Sequence, residues 1–101
     1  MPKNDILAWD RKSGAGSITA SVNCLDVTNN RVFPHLEVFV ASTTANDFYV
    51  ECSTDNSVWR LAETISVSGT SEMRGYLNAY PFVRVRSGSQ GTNEVEVVAS
   101  G

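Results

Sequence analysis

A chain of 101 residues makes one domain, and a domain of this size buries roughly two-thirds of the surface that its unfolded chain exposes. An apolar fraction of 42% and a charged fraction of 19% are those of an ordinary soluble fold. The net charge of −3 argues against nucleic acid as the main partner, because phosphate binding needs a basic stripe and the eight Lys and Arg residues are scattered.

No polybasic membrane patch is present, and no segment approaches the ~18 apolar residues of a membrane span. Met1-Pro2-Lys3-Asn4-Asp5 lacks the apolar core of a signal peptide, and there is no Asn-x-Ser/Thr sequon. Two cysteines, Cys24 and Cys52, allow at most one internal disulfide; a pair of buried thiols acting as small hydrophobes is the simpler expectation.

In chain order, Ile6, Leu7 and Trp9 form a short apolar knot, followed by Asp10-Arg11-Lys12 and a flexible Ser13–Ser17 stretch with two glycines. Residues 1–16 are expected to be an N-terminal arm or edge segment, either an edge strand or an arm that docks elsewhere. Residues 17–101 are expected to be the β-sandwich domain. Trp9 has two placements, of which covering its own domain's core is favoured and anchoring a partner is the other.

After Gly16 the pattern alternates, as half-buried strands do. Ile18, Ala20, Val22 and Cys24 share one face, and Asp26–Arg31 reads as a turn with two adjacent asparagines. A second strand begins after Pro34 with Leu36, Val38 and Val40 inward. Ser42–Asp47 is expected as a loop, then Phe48, Val50 and Cys52 mark a third strand. Ser53–Ser57 is a tight connection, with returning strands at Val58–Leu61 and at Ile65–Val67. Met73–Leu77, Phe82–Arg86 and Glu94–Ala99 complete about eight strands, with Ser87–Asn93 as a polar turn. Strands at this spacing, with no capped helical period, predict a single all-β, antiparallel, jelly-roll-like sandwich.

Two segments carry a resemblance. Val50-Glu51-Cys52-Ser53-Thr54-Asp55-Asn56-Ser57-Val58-Trp59 resembles the hairpin of discoidin-like, galactose-binding-type jelly rolls, in which a Trp follows the turn. Tyr80-Pro81-Phe82-Val83-Arg84-Val85-Arg86 resembles a later strand of the same families. Similar hairpins recur in small β-sandwich structural proteins of phage and archaeal-virus particles. The likeness covers about half the chain and implies that Asn56 stands where Gly is usual, that Trp59 caps the core, and that Arg84 projects opposite Val83 and Val85. The chain is about two-thirds of a discoidin domain's length, which leaves little room for that family's ligand-binding loops.

Catalytic chemistry finds no set of residues. His35, the one imidazole, stands alone at a strand start. Glu94 and Glu96 share one strand face about 7 Å apart by strand rise, which suits a solvated face better than an acid–base pair. Asp26 with Asn29 and Asn30, or Asp55 with Asn56, could offer oxygen ligands to calcium, but turn formation accounts for both. No catalytic residue, cofactor or metal site is assigned, and an enzyme is not expected.

Aromatic residues off the core faces remain. Phe39 and Tyr49 fall opposite the inward positions and, with Ile6, Leu7 and Trp9, are the candidate partner-contact residues. The expected function is a structural or assembly module, a virion-associated coat-attached or decoration protein that forms a homo-oligomer and meets other structural proteins. The alternative is a glycan-binding or adhesion module at an extracellular or cell-surface location.

Overall fold

The computed structural model describes residues 7–101. The strands are β1 (Leu7–Ala15), β2 (Thr19–Asn23), β3 (Leu25–Asp26), β4 (Arg31–Val32), β5 (His35–Ser42), β6 (Ala45–Ser53), β7 (Arg60–Ser68), β8 (Ser71–Leu77), β9 (Phe82–Ser87) and β10 (Thr92–Ser100). Sheet A has the order β1-β10-β5-β8 and sheet B the order β2-β9-β6-β7, while β3 and β4 form a separate two-stranded ribbon. With the ribbon set aside, the eight long strands run first-eighth-third-sixth in one sheet and second-seventh-fourth-fifth in the other. That order is a jelly roll, and the pairings between neighbouring strands are all antiparallel.

The core is what the alternation predicts. Ala20 and Val22 from β2, Phe48 and Val50 from β6, Ile65 and Val67 from β7, and Val83 and Val85 from β9 face Leu36, Val38 and Val40 of β5 and Val95, Val97 and Ala99 of β10. Most are β-branched or small, which suits a pleated surface buried on one side.

Two local expectations are corrected and two are made specific. The two strands expected at Val58–Leu61 and Ile65–Val67 are one strand, β7; a bulge opposite Val50 and Glu51 shifts its register at Ala62 and hides the continuity. The Asp26–Arg31 turn is the tip of the β3–β4 ribbon, closed by Asn30 at φ 51°. Asn46 and Asn93, expected in loops, lie buried within β6 and β10. Asn46 Nδ2 donates to the carbonyls of Gly88 and Gln90 and to Asn93 Oδ1 at 2.9 Å, and Asn93 Nδ2 donates to the Gly16 carbonyl at 2.7 Å. These buried amides are satisfied by loop carbonyls and by each other. Finally, Leu7–Ala15 is the edge strand of sheet A, paired along its length with β10.

Candidate functional site

The sandwich has two outer faces, and they differ in kind. On sheet A, strand register places Trp9, Val98, Glu37 and Gly75 in one row and Arg11, Glu96, Phe39 and Met73 in the next. Leu7, Ser100, His35 and Leu77 make a flanking row. Leu7 is 58% exposed, Trp9 63%, Met73 67% and Leu77 88%. These apolar groups are interspersed with Glu37, Glu96, Arg11, His35 and Ser100, and Arg11 is tied to Glu94 at 2.6 Å. Leu7, Trp9 and Phe39, three of the candidate contact residues, therefore share this face. Trp9 does not cover its own core, because its position on β1 is opposite Val98 on the outward side. Ile6 lies outside the described residues.

Tyr49, the remaining candidate, is on the other outer face, so it and Phe39 do not form one patch. On sheet B, Tyr49 pairs with Arg86 and Glu51 with Arg84 across β6 and β9. Arg84 and Arg86 each donate Nε–H to Oε1 of Glu51, at 2.7 and 3.0 Å. The Arg84 guanidinium lies 4.1 Å from the Trp59 ring centre and that of Arg86 lies 4.5 Å from the ring centre of Tyr49. The result is a ladder of Trp59, Arg84, Glu51, Arg86 and Tyr49. Glu51 is only 7% exposed although it faces outward, because the two arginines cover it. Burial alone would raise its carboxyl, but the guanidiniums of Arg86 and Arg84 outweigh burial and hold it below the usual carboxylate range. Trp59 is thus stacked on Arg84 rather than capping the core, while Arg84 projects opposite Val83 and Val85 as the resemblance implies.

Local chemistry brings Trp59 to this place. Asp55 Oδ1 accepts the backbone N–H groups of Ser57 and Val58, both at 2.9 Å, and Ser53 Oγ accepts that of Asn56 at 2.9 Å. Those N–H bonds, first that of Val58, hold the Asp55 carboxyl below its ordinary value. Asn56 takes the left-handed conformation at φ 62°. The turn ends one residue before Trp59, which enters the face beside Arg84.

The other candidates disperse. Asp26 is engaged by Asn29 Nδ2 at 2.9 Å and by the Thr28 N–H at 3.1 Å, so its oxygens close the ribbon turn. Among the described residues no group of three His, Cys, Asp or Glu side chains could hold a metal ion. Cys24 and Cys52 are free thiols; burial pushes Cys24 up to about 11. At the seam between β7 and β8, Glu63 accepts the Tyr76 hydroxyl and pairs with Arg74 at 2.9 Å. Beside it opens a cavity of about 200 Å³ lined by Leu36, Val50, Cys52, Ala62 and Tyr80, apolar and without converging polar groups of the kind catalysis requires. Among the described residues no helix is long and apolar enough to cross a membrane.

No family model matches the chain, and no curated protein matches it in sequence. Its fold recurs in solved structures. YomS, derived from the SPBc2 prophage, superposes with a TM-score of 0.69 at 10% identity, over 96% of each chain. The PBSX exported protein XepA gives 0.65 at 14% identity, over 95% of this chain but only 37% of XepA. The module CBM32-3, from a family 31 glycoside hydrolase of Clostridium perfringens, gives 0.55 at 11% identity, over 92% of this chain and 75% of the module. At such identities the likeness establishes the architecture, a small all-β sandwich found in phage-derived proteins and in carbohydrate-binding modules alike.

Proposed function

We propose that the chain is a non-catalytic assembly module, a virion-associated coat-attached or decoration protein that works by self-association and by contact with a shell. The observation that carries this reading is the outer face of sheet A, where Leu7, Trp9, Met73 and Leu77 are exposed together around Phe39 and Val98. Contiguous apolar surface on a soluble protein marks an interface. Burying it returns about 25 cal/mol per Å² before ordering costs, and a specific contact needs roughly 800 Å² from each partner. A fold shared over its whole length with a prophage-derived protein supports the same reading.

Light scattering coupled to size exclusion tests it on the full chain. The expected result is a stable oligomer that falls to monomer mass when Trp9→Ser and Met73→Ser are combined. A wild-type monomer across the accessible concentration range would defeat the proposal. Substitution is preferable to removing residues 1–16, because Leu7–Ala15 is an integral strand of sheet A.

A second reading, glycan binding at an extracellular or cell surface, is favoured by the likeness to CBM32-3 and by the aromatic residues Tyr49 and Trp59 on sheet B. Its expected seat is that sheet face. The connections at the Thr43–Thr44 and Gly69–Thr70 end of the sandwich are two residues long and carry no aromatic side chain.

A further inference from the structure

We propose that the outer face of sheet B binds an acidic polysaccharide, seating its carboxylate or sulfate groups on the paired guanidiniums of Arg84 and Arg86. The inference deepens the glycan-binding reading and rests on it. It is independent of assembly through sheet A, because the two faces point in opposite directions.

The first support is charge. Two guanidiniums share one carboxylate, and among the described residues Glu51 is the only acid within salt-bridge distance of either. One positive charge is left over, at a fixed place, on a chain whose net charge is −3. The second is geometry. Glu51 occupies the Nε–H of each arginine, and among the described residues no hydrogen bond engages their Nη atoms. The Nη edges are the part of the fork that grips a planar or tetrahedral oxyanion with two parallel bonds.

The third is pre-organisation. Stacking on Trp59 and Tyr49 fixes both side chains before a ligand arrives, so less ordering entropy is lost on binding. The surroundings select the class of ligand. Thr19 and Ser21 stand opposite Arg86 and Arg84 on β2, so hydroxyl residues border the cations on that side, and Thr64 stands beyond Tyr49 on β7. Beyond Tyr49 the face continues into a shallow open depression bordered by Asp47, Ser66 and Gln90. An open, hydroxyl-bordered platform suits a polyhydroxyl polymer better than a compact ligand that must be enclosed. Asp47 places negative charge at the Tyr49 end, so the acidic group belongs toward Arg84 and Trp59, with neutral sugar hydroxyls over the depression. A duplex nucleic acid is poorly matched, since two cations neutralise too few phosphates to offset the overall negative charge.

The test uses the full-length chain and three polymers at low salt: polygalacturonate for the carboxylate arm, dextran sulfate for the sulfate arm and neutral dextran. Binding is followed by NMR through the Nε–H resonances of Arg84 and Arg86. Expected is saturable binding of at least one acidic polymer, shifting those two resonances. Arg84→Gln should weaken it on the order of tenfold, and Arg84→Lys, which keeps the charge and loses the fork, roughly threefold. The Lys variant serves should the Gln variant fold poorly. Unchanged affinity in either folded variant overturns the proposal. Neutral dextran binding as tightly as the acidic polymers overturns it while leaving the glycan reading standing, and no binding of any polymer overturns both. A DNA duplex bound as tightly as the polysaccharides also overturns it, since the surface would then answer to any polyanion.

Discussion

The two outer faces of the sandwich are built on the same alternating pattern and reach opposite ends. Sheet A presents Leu7, Trp9, Met73 and Leu77 exposed and without polar partners, whereas sheet B, beside the exposed Leu61, presents charged and aromatic groups that satisfy one another. Outward hydrophobic groups gain nothing from their own fold and gain on contact with another surface. An outward ion ladder contributes to the fold that carries it, since removing any member strands the rest. Exposure alone therefore does not mark function; what matters is whether the exposed groups are already partnered.

The largest break in that comparison comes from Glu51. Glu51→Ala leaves two guanidiniums facing each other over a site that is 10% exposed at the side chain. The expected cost is about 2 kcal/mol, below the ~3–5 of a fully buried pair, because solvent screens an arginine that is 42% exposed. Urea unfolding at pH 7 measures it. The pH dependence sharpens the assignment. Burial works to raise the Glu51 carboxyl, yet the two arginines hold its folded value below the ordinary 4.5. A carboxylate with a depressed folded value stabilises fully above its unfolded value and loses that contribution as pH falls through the folded one. Glu51→Gln should thus be less stable than wild type at pH 7, and the gap should close progressively below about pH 4.5. A gap that stays constant down to pH 3 would show that Glu51 is not held as an ion by the arginines.

A smaller effect tests how Trp59 reaches the ladder. Asn56 sits at φ 62°, where a residue without a turn-compatible side chain is strained. Asn56→Ala should cost about 1 kcal/mol and lower Tm by roughly 5 °C. Trp59 fluorescence should shift as the indole loosens from Arg84. Unchanged emission with lowered Tm would mean that the indole is held by the strand rather than by the turn.

Much of the fold was legible because burial is one-sided. Val95, Val97 and Ala99, or Leu36, Val38 and Val40, announce their faces by alternation alone. The hairpin at Asp55-Asn56 was legible because backbone φ restricts the residue types that fit there. The bulge in β7 was not legible, since one inserted residue makes Glu63 read as a break in the strand when it is the partner of Arg74 and Tyr76 across the seam. The arginine ladder was half legible. Alternation turns Arg84 and Arg86 outward, but only sheet order brings Glu51 between them, and sheet order is a tertiary fact. For the same reason Phe39 and Tyr49 look alike in sequence, each opposite an inward strand face, and are separated by the thickness of the molecule. Trp9 has two placements in sequence, over its own core or on a partner, and one-residue register against Val98 turns it to the outer face.

The smallest expected effect concerns sheet A and completes the contrast. The pair Trp9→Ser with Met73→Ser removes two large apolar side chains, yet neither fills the domain's own core. In the dissociated monomer the combined change in stability should stay within about 0.5 kcal/mol, as for surface positions generally. At higher protein concentration the wild-type chain should gain stability by mass action, because association draws on the folded state only, and the variant should not. Thermal melts over a hundredfold range of concentration read this directly. Parallel rising Tm values in both chains would place the self-association elsewhere. A destabilised variant at the lowest concentration would mean that Trp9 or Met73 supports its own sheet, and the two faces would then be less different than their exposure suggests.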